Sequence, residues 1–141
     1  MAAPVAIVDT GPLYAAVDAN DQDHARCVAA MQTVGLRLII PSLVVAEATY
    51  LIGSRMGPNV ESSFLSSLRR CEVESPLPDE WPRIAEFVKQ YDDFPLGGTD
   101  ACVVVLAERF ATDTIVTLDR RHFAAIRPVH CTAFHLLPEN Q

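Results

Sequence analysis

Four acidic residues stand out by the company they keep. Asp9 closes VAIVD and Asp119 closes TIVTLD, each directly after a short apolar run. Asp100 opens DACVVVLA immediately after Thr99, and Glu47 interrupts LVVAEATYLI, residues 43–52. On a helix the neighbours of Glu47 are Leu43, Val44, Tyr50 and Leu51, all with large nonpolar bodies. A lone carboxylate on such a face is costly to bury and tends to take up a proton. Several carboxylates gathered together repel one another unless a multivalent cation lies between them. An all-oxygen donor set selects hard ions, Mg²⁺ or Mn²⁺, over zinc. Such an ion lowers the pKa of a bound water, polarises a phosphoryl oxygen and stabilises a departing alkoxide. The chemistry suited to this set is phosphodiester hydrolysis.

The elements that must position these acids alternate along the chain. VAIVD, 5–9, reads as a first strand, and TGPLYAAVD as a helix with Pro12 in its first turn. Residues 21–34 read as a helix capped by Asp21 and ended before Gly35; LRLIIP, 36–41, reads as a second strand. Ser42 is placed to cap the helix carrying Glu47, which runs to about Arg55, before Gly57 and Pro58. A helix over 59–70 and a short strand over 71–74 follow. DEWPRIAEFVKQY, 79–91, is amphipathic, with Trp81, Ile84, Phe87 and Val88 on one side. Thr99 is the expected cap of DACVVVLAERFA; TIVTLD, 114–119, is a strand, RRHFAAI a short turn or helix, and TAFHLL, 132–137, a last strand.

Strands separated by helices predict a parallel sheet covered on both faces, a three-layer α/β/α sandwich. Ligands in such sheets gather at the carboxyl ends of the strands. Asp9 and Asp119 fall at that edge, Asp100 in the first turn of a helix entering it, and Glu47 one turn past Ser42, facing inward. The four are expected to converge and to hold a cation together. Each also has an ordinary alternative. Asp9 caps the following helix, Asp119 caps the RRHF turn, and Asp100 favours the positive end of its helix dipole. Glu47 pairs with an arginine such as Arg55 or Arg83.

The totals set the bounds. The chain has 141 residues, half of them hydrophobic and 21% charged, which fits one globular domain over 1–141. No repeat or linker interrupts it. The start, MAAPVAIVDT, lacks a basic leader region, and no apolar run approaches a membrane span, so a soluble cytoplasmic protein is expected. The cysteines (27, 71, 102, 131) form no CxxC pair and the histidines (24, 122, 130, 135) no HxxH or HxxxH spacing. Zinc and a disulfide framework are therefore not expected, and the thiols read as small buried groups. A net charge of −7 counts against nonspecific nucleic-acid binding, but acids committed to cations leave that balance. Every basic residue except Lys89 is arginine, the side chain fitted to forked phosphate or carboxylate contacts.

IVDTGPLYAAVDANDQDH, PSLVVAEATYLI, DFPLGGTDACVVVLAERF and IVTLDRRHF, in that order and at these separations, resemble the PIN-domain ribonucleases, and more narrowly the VapC-type toxins of bacterial toxin–antitoxin pairs. The similarity runs from Val5 to Pro138. It implies a small α/β/α sandwich and a Mg²⁺- or Mn²⁺-dependent endoribonuclease that leaves a 5′-phosphate and a 3′-hydroxyl. Its acids fall on Asp9 of VDTGPL, Glu47, Asp100 of TDA and Asp119 of TLDRR. Hydroxyls at Thr10 and Thr117 match small polar positions that support the site. Many relatives have a further aspartate where this chain has His122. The resemblance also implies an antitoxin partner whose tail fills the groove, and a homodimer. Arg120 and Arg121, beside Asp119, are candidates to meet RNA phosphates, against an ordinary reading as solvated surface charge.

Two further readings compete. An inactive module of the same fold would bind RNA or a partner without cutting, and would bind no cation. A protein phosphorylated on aspartate would want a second acid two residues after the first, where VDTGP has glycine, or a lysine late in the fold, where only Lys89 is available.

Overall fold

A computed structural model describes residues 3–94 and 96–140. Five parallel strands form one sheet in the order β3-β2-β1-β4-β5. They are β1 (Val5–Val8), β2 (Arg37–Pro41), β3 (Glu72–Glu74), β4 (Thr114–Val116) and β5 (His135–Leu137). Among the described residues seven helices connect and cover them: α1 (Thr10–Val17), α2 (His24–Met31), α3 (Ser42–Met56), α4 (Pro58–Ser67), α5 (Glu80–Gln90), α6 (Gly98–Arg109) and α7 (Arg120–Ala125). A 3-10 turn, Leu68–Arg70, leads into β3. The architecture is the expected α/β/α sandwich.

The strands form where β-branched and aliphatic residues run together, and the central ones are buried on both faces, as parallel strands must be. β1 sits at the middle, with Ile7 opposite Ile39 on one side and Ile115 on the other. The chain order departs from the spatial order there: β2 follows β1 to one side, and β4 returns to the other. A crevice opens at such a reversal.

α6 is the internal helix. Every residue from Ala101 to Ala107 is buried, because β1, β2 and β4 lie on one side and α3 and α5 on others. A helix apolar all round needs this enclosure. α3 is different: its buried stripe is Val44, Ala48 and Ile52, spaced by four, packed toward α1, β2 and α6. Gly57, at φ 89°, ends α3 and lets α4 begin at once with Pro58 in its first turn.

Several local expectations are corrected. Ser42 is the first helical residue after Pro41 and its side chain caps nothing; Gly97, not Thr99, precedes α6. Asp21 shapes a turn by accepting from the Asp23 N–H at 2.8 Å, and α2 starts after Asp23 and stops at Met31, short of Gly35. On α5 only Ile84 and Phe87 are buried, since this helix packs chiefly on α6; Trp81 stays 49% exposed and Val88 is exposed too. Cys27 and Cys102 are buried thiols, whereas Cys71 is exposed. Among the described residues no helix is long and apolar enough to cross a membrane.

Candidate active site

Because the strands are parallel, their carboxyl ends share one edge, and the residues just past them meet. Asp9 follows β1 and its N–H donates to the Val116 carbonyl at 2.9 Å. Thr117 follows β4 and its N–H donates to Leu137 at 2.8 Å. That register sets the Thr117 hydroxyl against Asp9, and it donates to Asp9 Oδ2 at 2.8 Å. The same hydroxyl oxygen accepts the Asp119 N–H at 2.9 Å, so one buried threonine (1% exposed) ties two acids together.

Asp9 stands at the N-cap position of α1 but makes no side-chain cap; its carboxylate serves the cleft instead. Asp119 does cap α7, its Oδ1 accepting the His122 N–H at 3.0 Å, and its Oδ2 pairs with His122 Nδ1. The ordinary reading of Asp119 is thus part of its role, with the carboxylate still at the cleft. Asp100 lies in the first turn of α6. Glu47 comes from the second turn of α3.

These four carboxylates line a single cleft together with Thr10, Gly11, Leu51 and Leu118. Glu47 corrects the expectation of an inward-facing acid. It is exposed, and so is Tyr50, at 73%. Successive residues of a helix turn by about 100°, so the neighbour of buried Ala48 faces the open cleft rather than the core. The burial cost falls on Asp9, 6% exposed.

The electrostatics follow. Burial pushes the Asp9 carboxyl up to about 6, against the hydrogen bonds from Thr117 and Thr10, with the charges of Asp100 and Glu47 adding to the rise. Burial also raises Asp100; His122 opposes this, and Asp119 and Glu47 reinforce it. The alternative partners of Glu47 are engaged elsewhere: Arg55 lies over the Tyr14 ring and Arg83 pairs with Glu108. Among the described residues no arginine or lysine lines the cleft, and Lys89 lies on α5.

A divalent cation fits this donor set. The oxygens are hard ligands, no described arginine or lysine offsets them, and the buried Thr10 hydroxyl, 5% exposed, has no partner. His122 adds a group that its sequence position marks only as a departure. Asp100, Asp119 and His122 present ligand atoms all within 4.8 Å of one another. The signal available was the i, i+3 spacing of Asp119 and His122 on a short helix.

The two arginines separate. Arg120 donates to the carbonyls of Leu136, at 3.5 Å, and Pro138, at 2.9 Å. It ties α7 to the end of β5. Arg121 is exposed, its guanidinium 5.0 Å from the centre of the Phe94 ring.

Comparison with known proteins places this geometry in a lineage. Residues 6–127 match the family described as PIN domain. The chain is 38% identical over 134 residues to Ribonuclease VapC26 of Mycobacterium tuberculosis (strain ATCC 25618 / H37Rv), covering 94% of this chain and 99% of that protein. Its fold resembles that of Mycobacterium tuberculosis VapC20, a sarcin-ricin loop cleaving toxin, with a TM-score of 0.71 at 18% identity over 79% of this chain and 86% of the other. It also resembles VapBC2 from Rickettsia felis, solved bound to a DNA fragment from the promoter of that pair, with a TM-score of 0.68 at 16% identity over 94% and 98% of the two chains.

Proposed function

The chain belongs to the PIN-domain family, and on that premise we propose that it is a Mg²⁺- or Mn²⁺-dependent endoribonuclease, a single domain acting as the toxin of a type II toxin–antitoxin pair. The observation that carries this reading is the meeting of Asp9, Glu47, Asp100 and Asp119 on one cleft that no described arginine or lysine lines. Asp9, Asp100 and Asp119 hold the cation, and Glu47, exposed at the mouth, completes the site or orients the attacking water. When bound, the cation stabilises charge on the phosphoryl oxygens and makes a bound water more acidic.

The protein's own groups supply the positioning. Thr117 fixes Asp9 and the backbone of Asp119 in one register, while α7 holds the Asp119 carboxylate by its capping bond. Water attacks phosphorus in line, the bond to the 3′-oxygen breaks, and the products are a 5′-phosphate and a 3′-hydroxyl. Arg121 meets a phosphate at the rim. The partners are an antitoxin of the kind that accompanies VapC proteins and a second copy of the chain, in the cytoplasm.

The test is cleavage of RNA by purified protein with Mg²⁺ or Mn²⁺. Cleavage that stops on chelation and in Asp9→Asn is expected; an Asp9→Asn protein that cuts as well as the parent contradicts the assigned role. Absence of any cation binding at millimolar concentration favours the inactive module.

A further inference from the structure

Resting on that reading, we propose that His122 is a cation ligand, so that Asp100, Asp119 and His122 form a mixed oxygen–nitrogen site favouring Mn²⁺ over Mg²⁺. Ligand atoms of the three side chains lie within 4.8 Å of one another, a spacing that one ion can span. Two contacts set the imidazole: its Nδ1 pairs with Asp119 Oδ2, and the edge of Phe94 packs against its ring at 4.8 Å between centroids. The backbone N–H of His122 also holds the other oxygen of the same carboxylate, so aspartate and histidine are placed as a unit. The unpartnered Thr10 hydroxyl, buried on the same cleft, is an independent sign that the arrangement lacks a component.

The metal preference follows from the donor. Mg²⁺ demands oxygen ligands and gives up its waters reluctantly, whereas imidazole suits the transition ions. An aspartate at this position makes an all-oxygen set; His122 makes a softer one. The residue is therefore a determinant of which ion the site takes.

The experiment measures Mn²⁺ binding by electron paramagnetic resonance, with Mg²⁺ as competitor, in the parent, His122→Asp and His122→Phe. The phenylalanine keeps an aromatic ring against Phe94 and removes both nitrogens. Expected is a loss of Mn²⁺ affinity on the order of tenfold or more in His122→Phe, with Mg²⁺ affinity little changed. His122→Asp keeps Mg²⁺ binding and loses the preference. In the parent, substoichiometric Mn²⁺ broadens the His122 imidazole resonances and leaves those of His24, His130 and His135 sharp. An unchanged Mn²⁺-to-Mg²⁺ ratio in both variants overturns the proposal while leaving the nuclease reading intact. A parent that binds neither ion overturns both.

Discussion

Two regions of this protein handle carboxylates in opposite ways. Along the seam of α5 and α6, acids are matched by arginines: Arg109 reaches Glu80 at 2.6 Å and Glu74 at 3.3 Å, and Arg83 reaches Glu108 at 3.1 Å. These pairs hold Glu80 below the usual carboxylate range, chiefly through the Arg109 hydrogen bond. At the carboxyl edge of the sheet, Asp9, Glu47 and Asp100 have no described arginine or lysine partner, and Asp9 and Asp100 are raised by burial and mutual repulsion. The chain thus has arginines for neutralising acids and does not place them at the cleft. The seam neutralises its acids within the chain, whereas the cleft, in the proposed reading, leaves its acids to an external cation.

The sharpest way to break this contrast is to remove a cleft acid. Asp100→Asn is expected to lower RNA cleavage by roughly 10²–10³-fold, the scale of losing one charge-stabilising group at a reaction centre. The fold should persist, since the variant removes a repulsive charge. Single-turnover cleavage with circular dichroism checks both parts, and parental cleavage would erase the distinction between the regions.

The next effect is on stability against pH. A buried acid with a raised pKa keeps its proton in the folded state up to about 6, while the unfolded chain releases it near 3.8. Its contribution is therefore most favourable below 3.8, declines through the window to 6, and stays lost above. Moving this carboxyl from 3.8 to about 6 corresponds to about 3 kcal/mol. Urea unfolding in chelator at pH 4 and pH 7 should show this decline in the parent and a smaller one in Asp9→Asn, which keeps the raised Asp100 carboxyl. Added Mn²⁺ should restore stability at pH 7 in the parent.

Arg109→Ala is the counterpart at the seam. It leaves Glu80 without its strongest partner and is expected to cost about 1–3 kcal/mol of folding stability. Cleavage per folded molecule should not change. The smallest effect is at the rim: Arg121→Ala should reduce the slope of log RNA affinity against log salt by about 0.7, one phosphate contact to a single strand. An unchanged slope assigns Arg121 to surface charge.

Much of this layout was legible in the residues. The short runs VAIV and TIV are too brief for helices and too apolar for loops, so the acids after them had to lie at strand ends. The exposure of Glu47 was not legible, because LVVAEATYLI is apolar nearly all round and only packing selects Val44, Ala48 and Ile52 as its core stripe. The helix starts at Ser42 and Gly98 were misplaced by one or two residues, since the backbone there, not a hydroxyl, makes the turn. Nor could spacing alone show that Thr117 bridges Asp9 and Asp119, which depends on the β1–β4 register. Arg120 illustrates the same limit. Its neighbour Arg121 has the same chemistry, and only the position of β5 separates them.

In the proposed reading the four acids share one bound cation, which an anomalous difference map from crystals grown with Mn²⁺ would locate. The expected result is a peak in the cleft at about 2.1 Å from carboxylate oxygens of Asp9, Asp100 and Asp119, with Glu47 adjacent. An empty cleft in crystals where Mn²⁺ binds elsewhere would contradict it.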